Sequence, residues 1–379
     1  MERSNKRTGN KIVLIATGLG KVKRGFEIYI ADLAAMLSRD LNGCRVMAFG
    51  GGENSGFSFN YCKIQSIFRN SRLAYFLFPR SSSKRLRFER FTFFLGMLPK
   101  LVWKRPDVIY LGEYPLYCWL FKVRKFTGLR FRLVLYTGGQ AIPGKALFNP
   151  ATDFIHHITD VYLESCKHFP AERQRLIPHF VLDNFSIDKI LLEEIKWRAS
   201  GKKIVLSVGA IEKSSKRMHC LVEAMAQCRQ PVFPVLLGEP TADWDEINSM
   251  LIEKFGKDGF VLQTLPRTEL GTWYGAADLF VSCSPKESFG LVFVEALLFG
   301  LPVICDDFAE VRYVLKEYAT YVKMTDSNIV ADAIDEALKI KTLNEENQWA
   351  EQRREFAKSR YSMHVLKPDY ISLFLKVIS

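Results

Sequence analysis

Two carboxylates stand close together in this chain, at positions where an acid is costly. Glu295 lies in the middle of the apolar run Leu291 to Phe299, and Glu287 stands eight residues earlier, in the loop before that run. A carboxylate buried in an apolar helix takes a partner or a proton. The loop follows the strand-like segment DLFVSCS and ends at Gly290, so the N–H groups of Phe289, Gly290, Leu291 and Val292 head a helix and lack partners within it. They form an anion cradle with an acid on either side. One carboxylate accepts two hydrogen bonds and suits a vicinal diol such as a ribose. The plain alternative is a buried salt bridge for Glu295 and a solvated Glu287.

Cations stand at a second strand end. SVGAIEKSSKRMHC places Lys213, Lys216 and Arg217 just after Gly209 and before a helix, where positive charge opposes the helix dipole. A bound anion would remove that conflict; solvated side chains are the alternative. A third loop, GLGKVKRGFE (18–27), resembles a phosphate loop without matching one. Its third glycine is at 25 rather than 23, and Phe26-Glu27 stands where a Walker loop has Lys and Ser/Thr. It is read as a glycine turn that brings a helix N-terminus, opened by Gly25, to an anion. Asp243-Trp244-Asp245 is read as a helix start, with Asp243 as cap, in preference to a metal site. His156 and His157 have no companion at ligand spacing and are read as solvated or hydrogen-bonded.

These residues follow strands, and the chain supplies the strands in two series. KIVLIAT (11–17), CRVMAFG (44–50), DVIYLG (107–112), RLVLYTGG (132–139), DVYLES (160–165) and RLIPHF (175–180) form the first. After the polar helix IDKILLEEIKWRAS the pattern restarts with KKIVLSVGA, PVFPVLLGE, GFVLQTL, DLFVSCS and PVICDD, separated by helical segments. Strands alternating with helices predict parallel sheets covered on both faces, an α/β class. The boundary is placed near residue 188, giving domains 1–188 and 189–361, with a closing helix at 362–379 packed on the first and kinked or split at Pro368.

The chain has 379 residues, 48% of them hydrophobic and 25% charged, as in an ordinary globular protein. It lacks the apolar stretch of a membrane span, and MERSNKRTGN does not read as a signal peptide. The eight cysteines form no CxxC pair, which suits free thiols in a reducing cytoplasm. The formal net charge of +12 comes from residues 1–188, while the remainder is near neutral. That asymmetry points to an anionic partner for the first half.

The stretch WYGAADLFVSCSPKESFGLVFVEALLFGLPVI resembles the donor-site motif of the retaining family 4 glycosyltransferases, with Glu287 and Glu295 as its paired glutamates. RGFE (24–27), IPHF (177–180), SVGA with Lys216, and Glu310 fall in the family's order. The resemblance implies a GT-B fold: two facing Rossmann-like doubly wound domains with the active site in the cleft, the first taking the acceptor and the second a nucleotide sugar, with no metal and no cofactor. It implies Glu287 on the donor sugar, Glu295 on the ribose hydroxyls and Lys216 on the diphosphate. Gly25, Gly209, Arg217 and the segment Ser288, Phe289, Gly290, Leu291 would line the donor phosphates. Retention in this family is held to need no general base, the leaving phosphate assisting attack on the same face. Three departures stand out. Ala210 replaces a usual Arg, for which Lys213 or Arg217 would substitute. TGGQ replaces a usual His, leaving Gly139 and Gln140 as acceptor-side candidates. The hinge is reduced to PHFVLD.

Residues 68–105 interleave aromatic and basic side chains, a surface that fits an anionic membrane. The expected acceptor is therefore a lipid-linked or cell-surface glycan, and the expected place is the cytoplasm, at the inner face of the cell membrane. A core helix with a solvated basic face is the alternative. The rival function is a non-catalytic GT-B scaffold that binds nucleic acid or anionic membrane. It leaves the two glutamates unexplained, so no nucleic-acid partner is expected.

Overall fold

A computed structural model describes residues 9–22, 24–54, 56–138, 152–339 and 343–379. Gly139 and Gln140 lie outside the described residues. The chain divides into two units, Met1–Pro178 with Lys367–Ser379, and His179–Leu366. The division falls before the boundary drawn near residue 188, and the last helix contributes its residues from Lys367 onward to the first unit.

The first unit is built on seven strands: β1 (Asn10–Ala16), β2 (Cys44–Gly50), β3 (Asn60–Lys63), β4 (Val108–Leu111), β5 (Arg132–Tyr136), β6 (Phe154–His157) and β7 (Gln174–Leu176). All pair in parallel, in the order β3-β2-β1-β4-β5-β6-β7. The order turns back on itself between β1 and β4, the switch point at which such sheets bind ligands. β1 is buried from Ile12 to Ala16 apart from a trace at Val13, because helices cover both faces; this is why it reads as a continuous apolar run and does not alternate. The helices are α1 (Gly25–Asp40), α2 (Arg72–Leu77), α3 (Ser82–Lys104), α4 (Tyr114–Thr127) and α5 (Asp160–Ser165). Phe93, Phe94, Met97 and Leu101 of α3 pack with Val13, Ile15, Ile109 and Leu111 in one core.

The second unit has six parallel strands: β8 (Lys203–Val208), β9 (Val232–Leu237), β10 (Val261–Gln263), β11 (Leu279–Ser282), β12 (Val303–Cys305) and β13 (Thr320–Tyr321). Their order is β10-β9-β8-β11-β12-β13, with its own switch point between β8 and β11. Its helices are α6 (Lys189–Ala199), α7 (Met218–Ala226), α8 (Trp244–Phe255), α9 (Leu270–Ala276), α10 (Leu291–Leu298), α11 (Ala309–Leu315), α12 (Ser327–Ala337) and α13 (Leu343–Tyr361); α14 (Met363–Ile378) follows.

Two expectations are corrected. DVYLES is the helix α5, opened by Thr159 and an acid, Asp160, in its first turn; the strand is the preceding FIHH. The terminal break falls at Ser362, and Pro368 lies inside α14. Of the two alternatives for His156 and His157, hydrogen-bonded is the one found: both are fully buried on β6 and engaged through ring nitrogens. His156 belongs to a polar network that ties α14 into the first unit. Its Nδ1 lies 2.7 Å from the Tyr110 hydroxyl, Tyr110 meets Tyr29 at 3.0 Å, and Tyr29 donates to Tyr370 at 3.1 Å. Tyr370 donates in turn to the Pro178 carbonyl at 2.8 Å. Burial pushes the His156 pKa down to about 3, so the network stays neutral at physiological pH.

Candidate active site

The second unit brings several of the singled-out residues together at the carboxyl ends of β8 and β11. Gly209 follows β8, and a Cβ there would stand 3.3 Å from Cδ and Cε of Lys216. The glycine therefore makes room for the lysine stem. Lys216 reaches across to Glu287, in the loop after β11, and donates to its Oε1 in an ion pair. Both side chains are partly exposed, at 23% and 19%, so a ligand can reach either. Glu287 is thus paired, not merely solvated.

Arg217 caps α7 with φ at +47°, a left-handed conformation that costs a side-chain-bearing residue of order 1 kcal/mol. Its Nη1 is buried with no hydrogen-bond partner among the described residues, the nearest carboxylate oxygen being Asp306 Oδ2 at 4.0 Å. Lys213 is committed elsewhere: its ammonium donates to Glu246 at 2.6 Å and its backbone N–H to Asp243 at 2.8 Å. Asp243 sits at the cap position of α8, yet its carboxylate serves this neighbouring loop and makes no cap bond. Of the two candidates for the missing arginine, Arg217 is the one with a buried donor that lacks a partner among the described residues.

Gly290 opens α10 with φ at +76°, and a Cβ there would meet the Phe293 ring at 2.3 Å. Only glycine fits this turn. Phe289 is 2% exposed, its ring against His179 and Tyr361, so the side chain anchors the loop and its backbone is what faces outward chemistry. Leu291 is buried and Ser288 half-buried beside it. Gly25, exposed at the head of α1, belongs to the first unit.

Glu295 is 3% exposed and engaged through both oxygens. Its Oε1 accepts from Arg267 Nε at 3.2 Å and Nη2 at 2.9 Å, and its Oε2 accepts from the Tyr274 hydroxyl at 3.0 Å. Burial, reinforced by this carboxylate, holds the Tyr274 pKa well above the usual phenol value, so Tyr274 remains a donor. The salt bridge considered for Glu295 is present. Neither Arg267 nor Tyr274 stood out in the sequence: Arg267 lies in a short 3-10 turn without periodicity, and Tyr274 reads as a core aromatic of α9. Among the described residues no group of three or more His, Cys, Asp or Glu is placed to hold a metal ion.

Residues 190–356 match the family described as glycosyl transferases group 1. The match covers less than half of the chain. It contains Lys216, Arg217, Arg267, Glu287 and Glu295. An uncharacterized 41.2 kDa protein in the cps region of Klebsiella pneumoniae is 30% identical over 127 residues, 33% of this chain and 34% of that protein. The lipopolysaccharide core biosynthesis mannosyltransferase LpsB of Rhizobium meliloti (strain 1021) is 33% identical over 87 residues, 22% and 25% of the two chains. The matches therefore span about a third and a quarter of those relatives. Sucrose-phosphate synthase from Thermosynechococcus elongatus superposes with a TM-score of 0.78 at 18% identity, covering 97% of this chain and 99% of that one. At such identity the likeness speaks for the fold, which is α/β and of the GT-B type.

Proposed function

We propose that this protein is a retaining, metal-independent glycosyltransferase that moves a hexose from a UDP- or GDP-sugar to a hydroxyl of a lipid-linked or cell-surface glycan. The observation that carries the reading is the Lys216–Glu287 pair beside the head of α10, within the group 1 segment. A donor diphosphate competes with Glu287 for the Lys216 ammonium. Once Lys216 turns to phosphate, Glu287 is free to accept hydrogen bonds from the hexose. Arg217 and the N–H groups at the head of α10 then meet the negative charge that grows on the leaving diphosphate. The acceptor oxygen bonds to the anomeric carbon as the bond to phosphate breaks, and the hydroxyl proton passes to the leaving phosphate. Glu295, held in place by Arg267 and Tyr274, keeps a lone pair on Oε2 for a ribose hydroxyl.

A thermal-shift panel of UDP-, GDP- and ADP-hexoses tests this. A true donor at a hundred times its Kd stabilises the folded state by about 2.7 kcal/mol. Glu295→Gln should blunt the shift. If no nucleotide sugar raises the melting temperature at millimolar concentration, the reading fails.

The membrane part of the proposal rests on the outer faces of α2 and α3. Phe76 is 82% exposed and Trp103 72%, with Leu73, Leu77, Phe91, Leu95 and Val102 also exposed. Arg72, Arg80, Lys84, Arg87, Lys100 and Lys104 stand among them. Apolar rings in the interface with cations over lipid phosphate give binding that needs anionic lipid and weakens with salt. The expected result is co-sedimentation with liposomes containing phosphatidylglycerol and little with phosphatidylcholine alone. Replacing Phe76 and Trp103 with serine should release the protein. Equal recovery with both lipids would refute the claim.

A further inference from the structure

Helix α6 carries an apolar stripe that the described residues leave open. Ile190 is 83% exposed and Trp197 80%, and Ile187, just before the helix, is 48% exposed. Ile190 and Trp197 are seven residues apart, two turns, and so share one side of α6, away from its buried residues Ile195 and Ala199. Ile187 extends the stripe by one turn toward the N-terminus. A tryptophan with two isoleucines on one exposed face marks an interface, since large aromatic rings are the side chains that anchor one.

Beside the stripe, between α6 and α9, lies an open hollow of about 420 Å³. Ile187, the half-buried Leu191 and the buried Thr272 give it apolar surface, and the exposed acids Asp188 and Glu269 stand at its edge. Its walls are tied together. The Asp188 N–H donates to the Thr272 hydroxyl at 2.9 Å, and the Ser186 hydroxyl donates to the Thr268 carbonyl at 3.1 Å. Gly271 lets α9 come close, because a Cβ there would stand 2.5 Å from the Ser186 carbonyl oxygen. A ring that enters this hollow finds it already formed, which spares the cost of ordering it.

The stripe and the hollow fit each other. Trp197 and Ile187 are ten residues apart, about 15 Å along the helix. Set against a second α6 running the opposite way, about a two-fold axis level with Leu192, Trp197 of each copy arrives over Ile187 and the hollow of the other. Arg198, the next residue, arrives at the same edge, where Asp188 and Glu269 offer it carboxylates. The two Ile190 side chains meet between them, about 6 Å apart along the axis. An isologous contact makes each of these interactions twice.

We propose that α6 is the interface of a homodimer, with Trp197 of each copy seated in the hollow between α6 and α9 of the other and Arg198 paired with its acids. The charges around the stripe select a second copy over lipid. Lys189, Lys196 and Arg198 are balanced by Asp188, Glu193, Glu194 and Glu269, so the face complements itself and has no net charge to offer an anionic membrane. The basic outer faces of α2 and α3 differ from it in this respect. One helix face and one hollow per copy make a small contact, at or below about 1,200 Å², so the dimer should be weak, with a Kd of about 1–100 µM. The proposal stands apart from the glycosyltransferase reading, since neither Lys216 nor Glu287 takes part in it.

Sedimentation velocity on the full chain, from about 1 to 300 µM, should show a monomer giving way to a dimer as concentration rises. Trp197→Ser should remain monomeric throughout, as loss of a central aromatic anchor predicts. Arg198→Glu and Glu269→Arg should each raise the dimer Kd about tenfold or more, because each sets like charges together at two places. The double variant Arg198→Glu with Glu269→Arg restores opposite charges and should recover the wild-type Kd to within about threefold. Wild-type melting temperatures in the variants show that they are folded. A wild-type chain that stays monomeric at the highest concentration overturns the proposal. So does a dimer that survives Trp197→Ser, or a double variant as weak as the single ones, because either result puts the contact elsewhere. Liposome binding lost in Trp197→Ser, with no dimer at any concentration, would give the stripe to lipid and overturn it too.

Discussion

Replacing Lys216 with alanine is expected to lower glycosyl transfer by about 10²–10³-fold, the range seen when one group that meets developing negative charge is removed. Lys216 stands at the end of β8 on a stem that Gly209 accommodates, and its ammonium already pairs with Glu287. Its removal acts twice. The diphosphate loses a cation where charge develops, and Glu287, its side chain 19% exposed, is left without its partner. Both effects raise the barrier to transfer more than they weaken donor binding, so kcat should fall more than the donor KM rises. Glu287→Gln should also slow transfer while leaving nucleotide binding largely intact, because the nucleotide is held elsewhere. The two substitutions act on one pair, and their combined cost should be smaller than the product of the single costs. Steady-state rates on the donor identified by thermal shift decide the matter. A Lys216→Ala enzyme within about twofold of wild type in rate and donor affinity would remove Lys216 from the mechanism.

Replacing Arg267 with alanine should cost about 3 kcal/mol of stability in the second unit. Glu295 is 3% exposed and draws two hydrogen bonds from the Arg267 guanidinium. Without them the buried carboxylate keeps only Tyr274 as a side-chain donor among the described residues, and its desolvation is no longer compensated. The pair as a whole contributes less than its rupture costs, since its formation also desolvates both charges. Arg267→Ala combined with Glu295→Gln should therefore be more stable than Arg267→Ala alone. In a melt of the full chain the single variant should lower the transition of this unit by roughly 5–10 °C. Equal melting of Arg267→Ala and wild type would show that Glu295 is carried by other groups. The same experiment separates two meanings of Glu295: a residue that only staples α9 to α10 affects melting, whereas one that also meets ribose changes the nucleotide shift in the stable double variant.

The order of strands and helices was legible because it depends on local pattern. Apolar runs such as KIVLIA and VFPVLL, bounded by turn residues, fold as strands whose two faces are covered, and the helical segments between them carry one apolar face. Segment 160–165 was misread because its apolar content resembles a strand, while the helix signal lies in Thr159 and Asp160. Gly290 was legible for a related reason, since its left-handed backbone is required by the turn it opens, whereas the glutamate pair stood out through its resemblance to a family motif.

By itself, the sequence determined the α/β class, the two series of strands, the loop that opens α10 and the acids and cations available to a ligand. Tertiary structure alone decided how those charges are shared. It paired Lys216 with Glu287, tied Lys213 to Glu246, gave Glu295 to Arg267 and Tyr274, and left buried atoms of Arg217 and Glu27 unmatched among the described residues. These pairings join residues from different βα units, and a charge carries no periodic mark of the partner it will meet. Its partner is set by where the sheet order turns back, at β1/β4 and β8/β11, which brings distant loops to the same strand ends.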